Sequence, residues 1–174
     1  MTDLSLPTGA DPFPPVRFSS RTEFNQQLLE AVASAQREIW LADVDFAHWP
    51  MNSTEMEDAL RSFLRASRAN RVHLLAYNSE GLTQHSPRFM RVLRLFGHSF
   101  MCRQPGEQIA ARFAEDCSFA VVDRARVVRR FHRDSMRGIA EFHPNSVVPW
   151  VDQFQSVWED STPSIAPTVL GLGA

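Results

Sequence analysis

The sequence predicts an α/β fold, a mixed and mostly parallel sheet flanked by helices on both faces. Three observations predict it. Short continuous apolar runs alternate with segments of helical spacing, the pattern of buried strands joined by crossover helices. Helix starts are marked by side-chain caps or by a proline at the first helical position. Two later apolar runs are separated only by Asp123-Arg124-Ala125, which reads as an antiparallel hairpin added to the parallel part.

Residues 1–18 hold Pro7, Pro12, Pro14 and Pro15 and read as a flexible, polyproline-like lead-in. The folded unit then spans residues 19–160. Its first helix begins at the capping box Ser20-x-x-Glu23 and continues with Phe24, Leu28, Val32 and Ala35 on one side. In REIWLADVDF, the run Ile39-Trp40-Leu41-Ala42 predicts a strand buried on both faces, with Asp43 and Asp45 at its C-terminal end. Ser53 caps a second helix, acidic in its first turn (Glu55, Glu57, Asp58) and basic later (Arg61, Arg65, Arg68), as the helix dipole favours. Met56, Leu60, Phe63 and Leu64 form its buried stripe.

RVHLLAYN is a second buried strand and NSEG a turn. A third helix starts at Ser86-Pro87, turns Phe89, Val92, Leu93 and Phe96 inward, and stops at Gly97; HSFMC is the third strand. Residues 107–114 read as a short helix, Cys117–Val122 and Val127–His132 as the hairpin, and Pro149–Trp158 as a closing helix. Residues 161–174, STPSIAPTVLGLGA, read as a flexible tail.

With 174 residues and 44% hydrophobic content, one domain with a sizeable core is expected. The formal charge of −2 and the pI near 6.3 exclude a strongly basic nucleic-acid coat protein, though a local patch could still bind nucleic acid. All 18 basic residues are arginine. An arginine-rich codon bias explains this, and whatever its cause it removes every chemistry that needs a side-chain amine: Schiff bases, P-loop lysines and kinase-type lysines. Cys102 and Cys117 form no CxxC pair. No apolar run reaches the roughly 18–20 residues of a membrane span. The N-terminus lacks a signal-peptide pattern, so a cytoplasmic protein with reduced thiols is expected.

The element order together with DCSFAVVDRARVV resembles one half of the phospholipase D superfamily, over roughly residues 22–159. REIWLADVDF is similar to that fold's first strand and QFQSVWE to its closing helix. The family's motif is HxKxxxxD followed by a GSxN-like segment. There a histidine attacks phosphorus, a lysine stabilises the phosphoryl oxygens, and a histidine from a second copy protonates the leaving group. Laid on this chain, the motif aspartate falls on Asp123. The histidine position is Asp116, the lysine position Ser118, and the GSxN segment Arg130-Phe131-His132-Arg133. The resemblance therefore implies the fold without the usual phosphodiesterase machinery. Since single-motif members of the family commonly pair, it also implies a homodimer.

Candidate ligand-binding residues are Asp116, Ser118, Arg130 and His132, with Asp45 and Trp49 from the first strand's C-terminal loop, the edge where open α/β sheets bind ligands. On a strand, Arg130 and His132 would point the same way and could bind phosphate; they read equally as a solvated strand end paired with Asp134, Glu115 or Asp116. Weak catalytic candidates are Asp116, Asp123 and His132. Asp43, Asp45, Asp116 and Asp123 could gather around a cation or serve as caps and turns. His48, His85 and His143 lack metal-ligand spacing, so no metal and no cofactor are expected. Cys117 with His132 reads as a nucleophile pair or, more simply, as a buried thiol beside an unrelated imidazole. Trp40 and Trp158 fit core positions; Trp49 and Trp150 could stack on bases.

The expected function is a non-catalytic domain that binds a phosphate-bearing ligand or a protein partner. The alternatives are a hydrolase rebuilt around His132 or His85 and the aspartates, with or without a metal, and a structural dimerisation module.

Overall fold

The computed structural model describes residues 12–165. Their strands form one mixed sheet in the order β1-β7-β6-β5-β2-β3-β4-β8. The parallel part is β2 (Glu38–Asp43), β3 (Arg71–Ala76) and β4 (Phe100–Pro105). Strand β5 (Phe119–Val122) lies antiparallel on β2, and β6 (Arg126–Arg130) and β7 (Gly138–Glu141) continue as a meander. The sheet is mixed as expected, but its parallel part is limited to three strands. The hairpin adds antiparallel neighbours on one side, and the short edge strands close both ends.

Those edges correct the expected boundaries. Val16–Phe18, assigned to the flexible lead-in, forms β1 against β7 and buries Phe18. Ser161–Pro163, assigned to the tail, forms β8 against β4. Three-residue strands carry too little alternation to be read from sequence, and Pro163 is tolerated because an edge strand needs no donor there. The remaining lead-in and tail residues, 1–11 and 166–174, lie outside the described part. Strand β7 also escaped the sequence reading. It starts at Gly138, where a Cβ would collide with the Arg129 carbonyl oxygen and the Phe18 ring.

Helix α1 (Arg21–Ser34) begins at the expected capping box, with Ser20 and Glu23 each accepting from the other's backbone N–H. Ser53 caps α2 (Thr54–Ala66) by accepting from the Met56 N–H at 3.1 Å. NSEG does not turn the chain straight into the next helix: α3 (Glu80–His85) intervenes before α4 (Pro87–Leu95). Helix α5 (Glu107–Phe113) lies where expected. Helix α6 runs from Pro144 to Glu159, a turn and a half earlier than expected, and carries Pro149 in its interior. Pro144 occupies the start that the sequence reading gave to Pro149.

Side chains alternate across the sheet. Ile39 and Leu41 join Phe24, Leu28, Met56, Leu60, Val92 and Leu93 in the core under α1, α2 and α4. Trp40 and Ala42 face the other way, into a second core with Val147, Val151, Phe154 and Val157 of α6.

Candidate functional site

The parallel strands β2 and β3 end in the segments Val44–Ser53 and Tyr77–Ser79, and the candidate site lies there. Asp43, the last residue of β2, is buried. Its Oδ2 accepts from the backbone N–H of Phe46 at 2.8 Å and of Asp45 at 3.2 Å, which turns the chain sharply. Phe46 takes a left-handed φ of 58° at this turn. Oδ1 of Asp43 faces the Arg130 guanidinium at 3.8 Å.

Arg130 ends β6 and is only 3% exposed. Its Nε donates to Ser118 Oγ at 2.9 Å, its Nη2 to the Arg133 carbonyl at 2.6 Å, and its Nη1 to the Met136 sulfur at 3.6 Å. Burial pushes its pKa down and Asp43 opposes that shift; a guanidinium stays charged regardless. Ser118 Oγ accepts a second donor, the Trp49 indole N–H at 3.3 Å. Trp49 is itself 6% exposed and sits edge-on to Phe24 and Phe46. Asp43, Arg130, Ser118 and Trp49 thus form one buried polar network under the sheet's C-terminal edge. Its members come from β2, β6, the residue before β5 and the loop after β2.

Above this network a cleft of about 180 Å³ is lined by Asp43, Asp45, His48, Arg130, Arg133 and Asp134. Asp45 also lines a larger neighbouring cavity of about 500 Å³, with Trp49, Asn52, Leu82, His85 and Ser86. Arg21 Nη2 donates to His48 Nδ1 at 2.8 Å. An arginine can only donate, so the neutral His48 ring carries its proton on Nε2.

Several sequence-predicted residues are not brought to the cleft. His132 lies beyond the end of β6, so strand alternation does not align it with Arg130; its Nδ1 accepts from the Asp134 N–H at 3.1 Å. Asp116 is exposed outside the cleft lining. Asp123 lies at the opposite end of β5, where its carboxylate accepts from the backbone N–H groups of Gln36, Arg37 and Glu38 at 2.8–2.9 Å. The four aspartates therefore do not converge, and among the described residues no group of three or more His, Cys, Asp or Glu is placed to hold a metal. Cys117 donates to the Ala114 carbonyl, and burial pushes its thiol up to about 12. That removes the thiolate a nucleophile needs. Trp49 is committed to the network and Trp150 packs on Phe119 and under Arg129. His143 accepts from the Asn145 N–H at the start of α6.

Sequence reasoning did not anticipate Arg133 or Asp134 in the cleft wall, or Arg21 behind His48. Nor did it anticipate a third cavity, of about 250 Å³, across the sheet between Trp40, His73, Phe154 and Trp158. There Trp40 Nε1 and His73 Nδ1 are buried without a hydrogen-bond partner among the described residues.

The fold is phospholipase D-like, as its likeness to solved structures of that family shows. The solved structures it resembles include TrmBL2, an archaeal chromatin protein with a novel mode of DNA binding (TM-score 0.63, 14% identity over 91% of this chain). They also include NucT from Helicobacter pylori (0.56, 13%, covering 87% of this chain and 99% of NucT) and the phospholipase D family member Nuc from Salmonella typhimurium (0.53, 14%, covering 88% and 100%). The chain spans 57% of the TrmBL2 chain. In sequence, it belongs to the family described as Domain of unknown function (DUF7931), which matches residues 20–167. No curated protein matches it. No described helix is long and apolar enough to cross a membrane.

Proposed function

We propose that this chain is a phospholipase D-like domain that binds rather than cleaves, taking a phosphate-bearing ligand at the mouth of the cleft over Asp43 and Arg130. One observation carries the reading. The position the family gives to its lysine is Ser118, and its hydroxyl is held by a buried arginine that is already engaged with Asp43 and with protein acceptors. A cation is present in the cleft, but it is locked into the fold rather than free to follow charge developing on a phosphoryl group. The position of the nucleophilic histidine is Asp116, which is exposed outside the cleft. The groups a ligand meets are Arg133 and His48 at the mouth, with Asp45 leading to the larger cavity. Arginine suits phosphate oxygens, and the Nε2–H of His48 supplies a second donor.

The test uses bis(p-nitrophenyl) phosphate, with and without Mn²⁺ and with EDTA. No turnover is expected, and calorimetric binding of the same ester should weaken about tenfold in Arg133→Ala, the loss of one charge-assisted contact. Turnover that disappears in His48→Ala, or in Asp116→Ala with His132→Ala, would overturn the reading in favour of a rebuilt phosphodiesterase site. Ester binding that is absent, or unchanged in Arg133→Ala, would instead favour a protein partner at this cleft. The homodimer implied by the family resemblance is tested by sedimentation, where a single species of monomer mass counts against it.

A further inference from the structure

The charges of this chain are unevenly distributed. Between Asp58 and Glu107 the sequence holds eight arginines (61, 65, 68, 71, 88, 91, 94 and 103) and one acid, Glu80, while the other 19 acids and 10 arginines lie outside this stretch. A protein with a formal charge of −2 therefore contains a contiguous segment of +7. Five of those arginines lie on two neighbouring helices, and a sixth, Arg68, lies in the turn just past the first. Arg61, Arg65 and Arg68 follow one another at intervals of four and three along and just past α2, and Arg88, Arg91 and Arg94 at intervals of three along α4.

The fold aligns the two rows. Each helix crosses over between parallel strands, α2 from β2 to β3 and α4 on the way from β3 to β4, so the helices run in the same direction. The Asn52 side chain just before α2 accepts from the Arg88 N–H at 3.0 Å and so sets their starts side by side. Glu57, buried in α2, takes Arg61, Arg88 and Arg91 at 3.1–3.3 Å and clasps the rows at their shared end. Arg88 and these other arginines hold its carboxyl below the usual range, so it stays ionised as their anchor. Arg65, Arg68 and Arg94 are exposed and have no ion-pair partner among the described residues.

We propose that the α2–α4 face is a docking surface for the phosphate backbone of a nucleic-acid duplex. Its size and charge fit that partner. At 1.5 Å per residue, Arg88 to Arg94 cover about 9 Å along α4 and Arg61 to Arg65 about 6 Å along α2, with Arg68 beyond its end, and packed helices lie about 8–10 Å apart. Phosphates follow one another at about 3.4 Å of axis per strand, so the patch spans about three per strand and neutralises about four in all. No base-reading loop is needed, and contact by charge alone gives binding without sequence preference. This surface shares no residue with the cleft above, so either reading can fail without the other.

The test is fluorescence anisotropy of labelled 20-base-pair DNA and RNA duplexes with the full chain. Binding to either duplex is expected at 50 mM salt, falling on the order of 100-fold by 200 mM, the counterion release of about four contacts. Arg65→Glu, Arg68→Glu and Arg94→Glu together should remove binding. The milder Arg65→Gln, Arg68→Gln and Arg94→Gln triple should weaken it at least about tenfold while melting like the parent. Arg137→Glu, on the loop before β7, should leave it unchanged. The relative affinity for DNA and RNA identifies the preferred duplex. Three outcomes would overturn the proposal: no duplex binding at 50 mM salt, equal binding by the glutamine triple, or a poly-glutamate peptide held as tightly as the duplexes, which would point to an acidic protein partner instead.

Discussion

Arg130 and Arg94 differ by less in chemistry than any two residues of different type, yet the fold uses them in opposite ways. Arg130 is enclosed at the end of β6 and every face of its guanidinium has a protein partner. Arg94 projects from α4 into water, and nothing among the described residues neutralises it. A buried charge is tolerated only with its counter-charge and acceptors in place. An exposed one costs the fold almost nothing and remains available to a partner. The contrast teaches where to look for function in a chain whose only side-chain cations besides histidine are arginines. The buried guanidinium belongs to the architecture, and the exposed ones are the interaction surface.

The largest effect should come from the buried member. Arg130→Met removes the guanidinium that faces Asp43 and leaves a buried carboxylate without its counter-charge, at a cost of about 3–5 kcal/mol. Urea denaturation reads this directly. Adding Asp43→Asn should recover part of the loss, because the uncompensated charge goes with it. If Arg130→Met costs no more than a surface substitution, the contrast between the two arginine classes fails.

Asp123 sharpens the comparison from the other end of β5. It is half exposed, but its two oxygens hold three successive backbone N–H groups at the α1–β2 junction, and it sits at a left-handed φ of 52°. Asp123→Ala should cost about 1–3 kcal/mol, the penalty of leaving those donors without their charged acceptor. Asp123→Asn should cost less, since asparagine tolerates this backbone and keeps one acceptor. Here a carboxylate that the motif alignment placed in a catalytic signature acts as a strand-start clamp.

That residue also shows what the sequence could and could not yield. The capping box at Ser20, the Ser53 cap, the buried run at Ile39–Ala42 and the proline start at Pro87 are local signals, and the structure agrees with each. The strands β1 and β8 are three residues long with partners distant in sequence, and β7 is a four-residue strand set off from β6 by an irregular loop, so no local pattern announces them. The site failed to read for a related reason. Strand alternation predicts that Arg130 and His132 share a face, but β6 ends at Arg130 and the alternation ends with it. Ser118, Trp49 and Asp43 are separated by up to 75 positions, and only the antiparallel placement of β5 on β2 brings them together. The arginine rows on α2 and α4 were legible in principle, as a long stretch almost free of acids, but their adjacency needed the parallel order of β2, β3 and β4.

A third prediction concerns His73, whose buried Nδ1 has no hydrogen-bond partner among the described residues. His73 lines the cavity between Trp40 and Trp158, and burial lowers its pKa from 6.5; nearby Glu38 opposes this, while Arg71, Arg103 and Arg124 add to it. A histidine whose folded pKa is depressed binds fewer protons folded than unfolded. Stability therefore rises with pH between the folded value and 6.5, and falls as pH drops below about 6.5. Melting curves from pH 7.5 down to 5 should show this decline, and His73→Phe should flatten it relative to the parent. An unchanged pH slope in His73→Phe would mean that other histidines set it.

The smallest effects should come from the exposed arginines, and their smallness is informative. Arg94→Ala removes a charge from water and places the best helix former in the last turn of α4, so the expected change is within about 0.5 kcal/mol in either direction. Arg65→Ala should behave alike, less a few tenths for the favourable charge near the C-terminus of α2. Arg88→Ala is different, because it is one of three arginines on the buried Glu57 and donates to its Oε2 at 3.1 Å. Two other cations remain beside that carboxylate, so the loss should stay near 1 kcal/mol, well below the loss at Arg130. Denaturation of the three variants side by side orders them by how completely water is excluded around each guanidinium. If Arg65→Ala or Arg94→Ala destabilises as much as Arg88→Ala, the outer arginines are part of the architecture, and the division between scaffold and surface has to be redrawn.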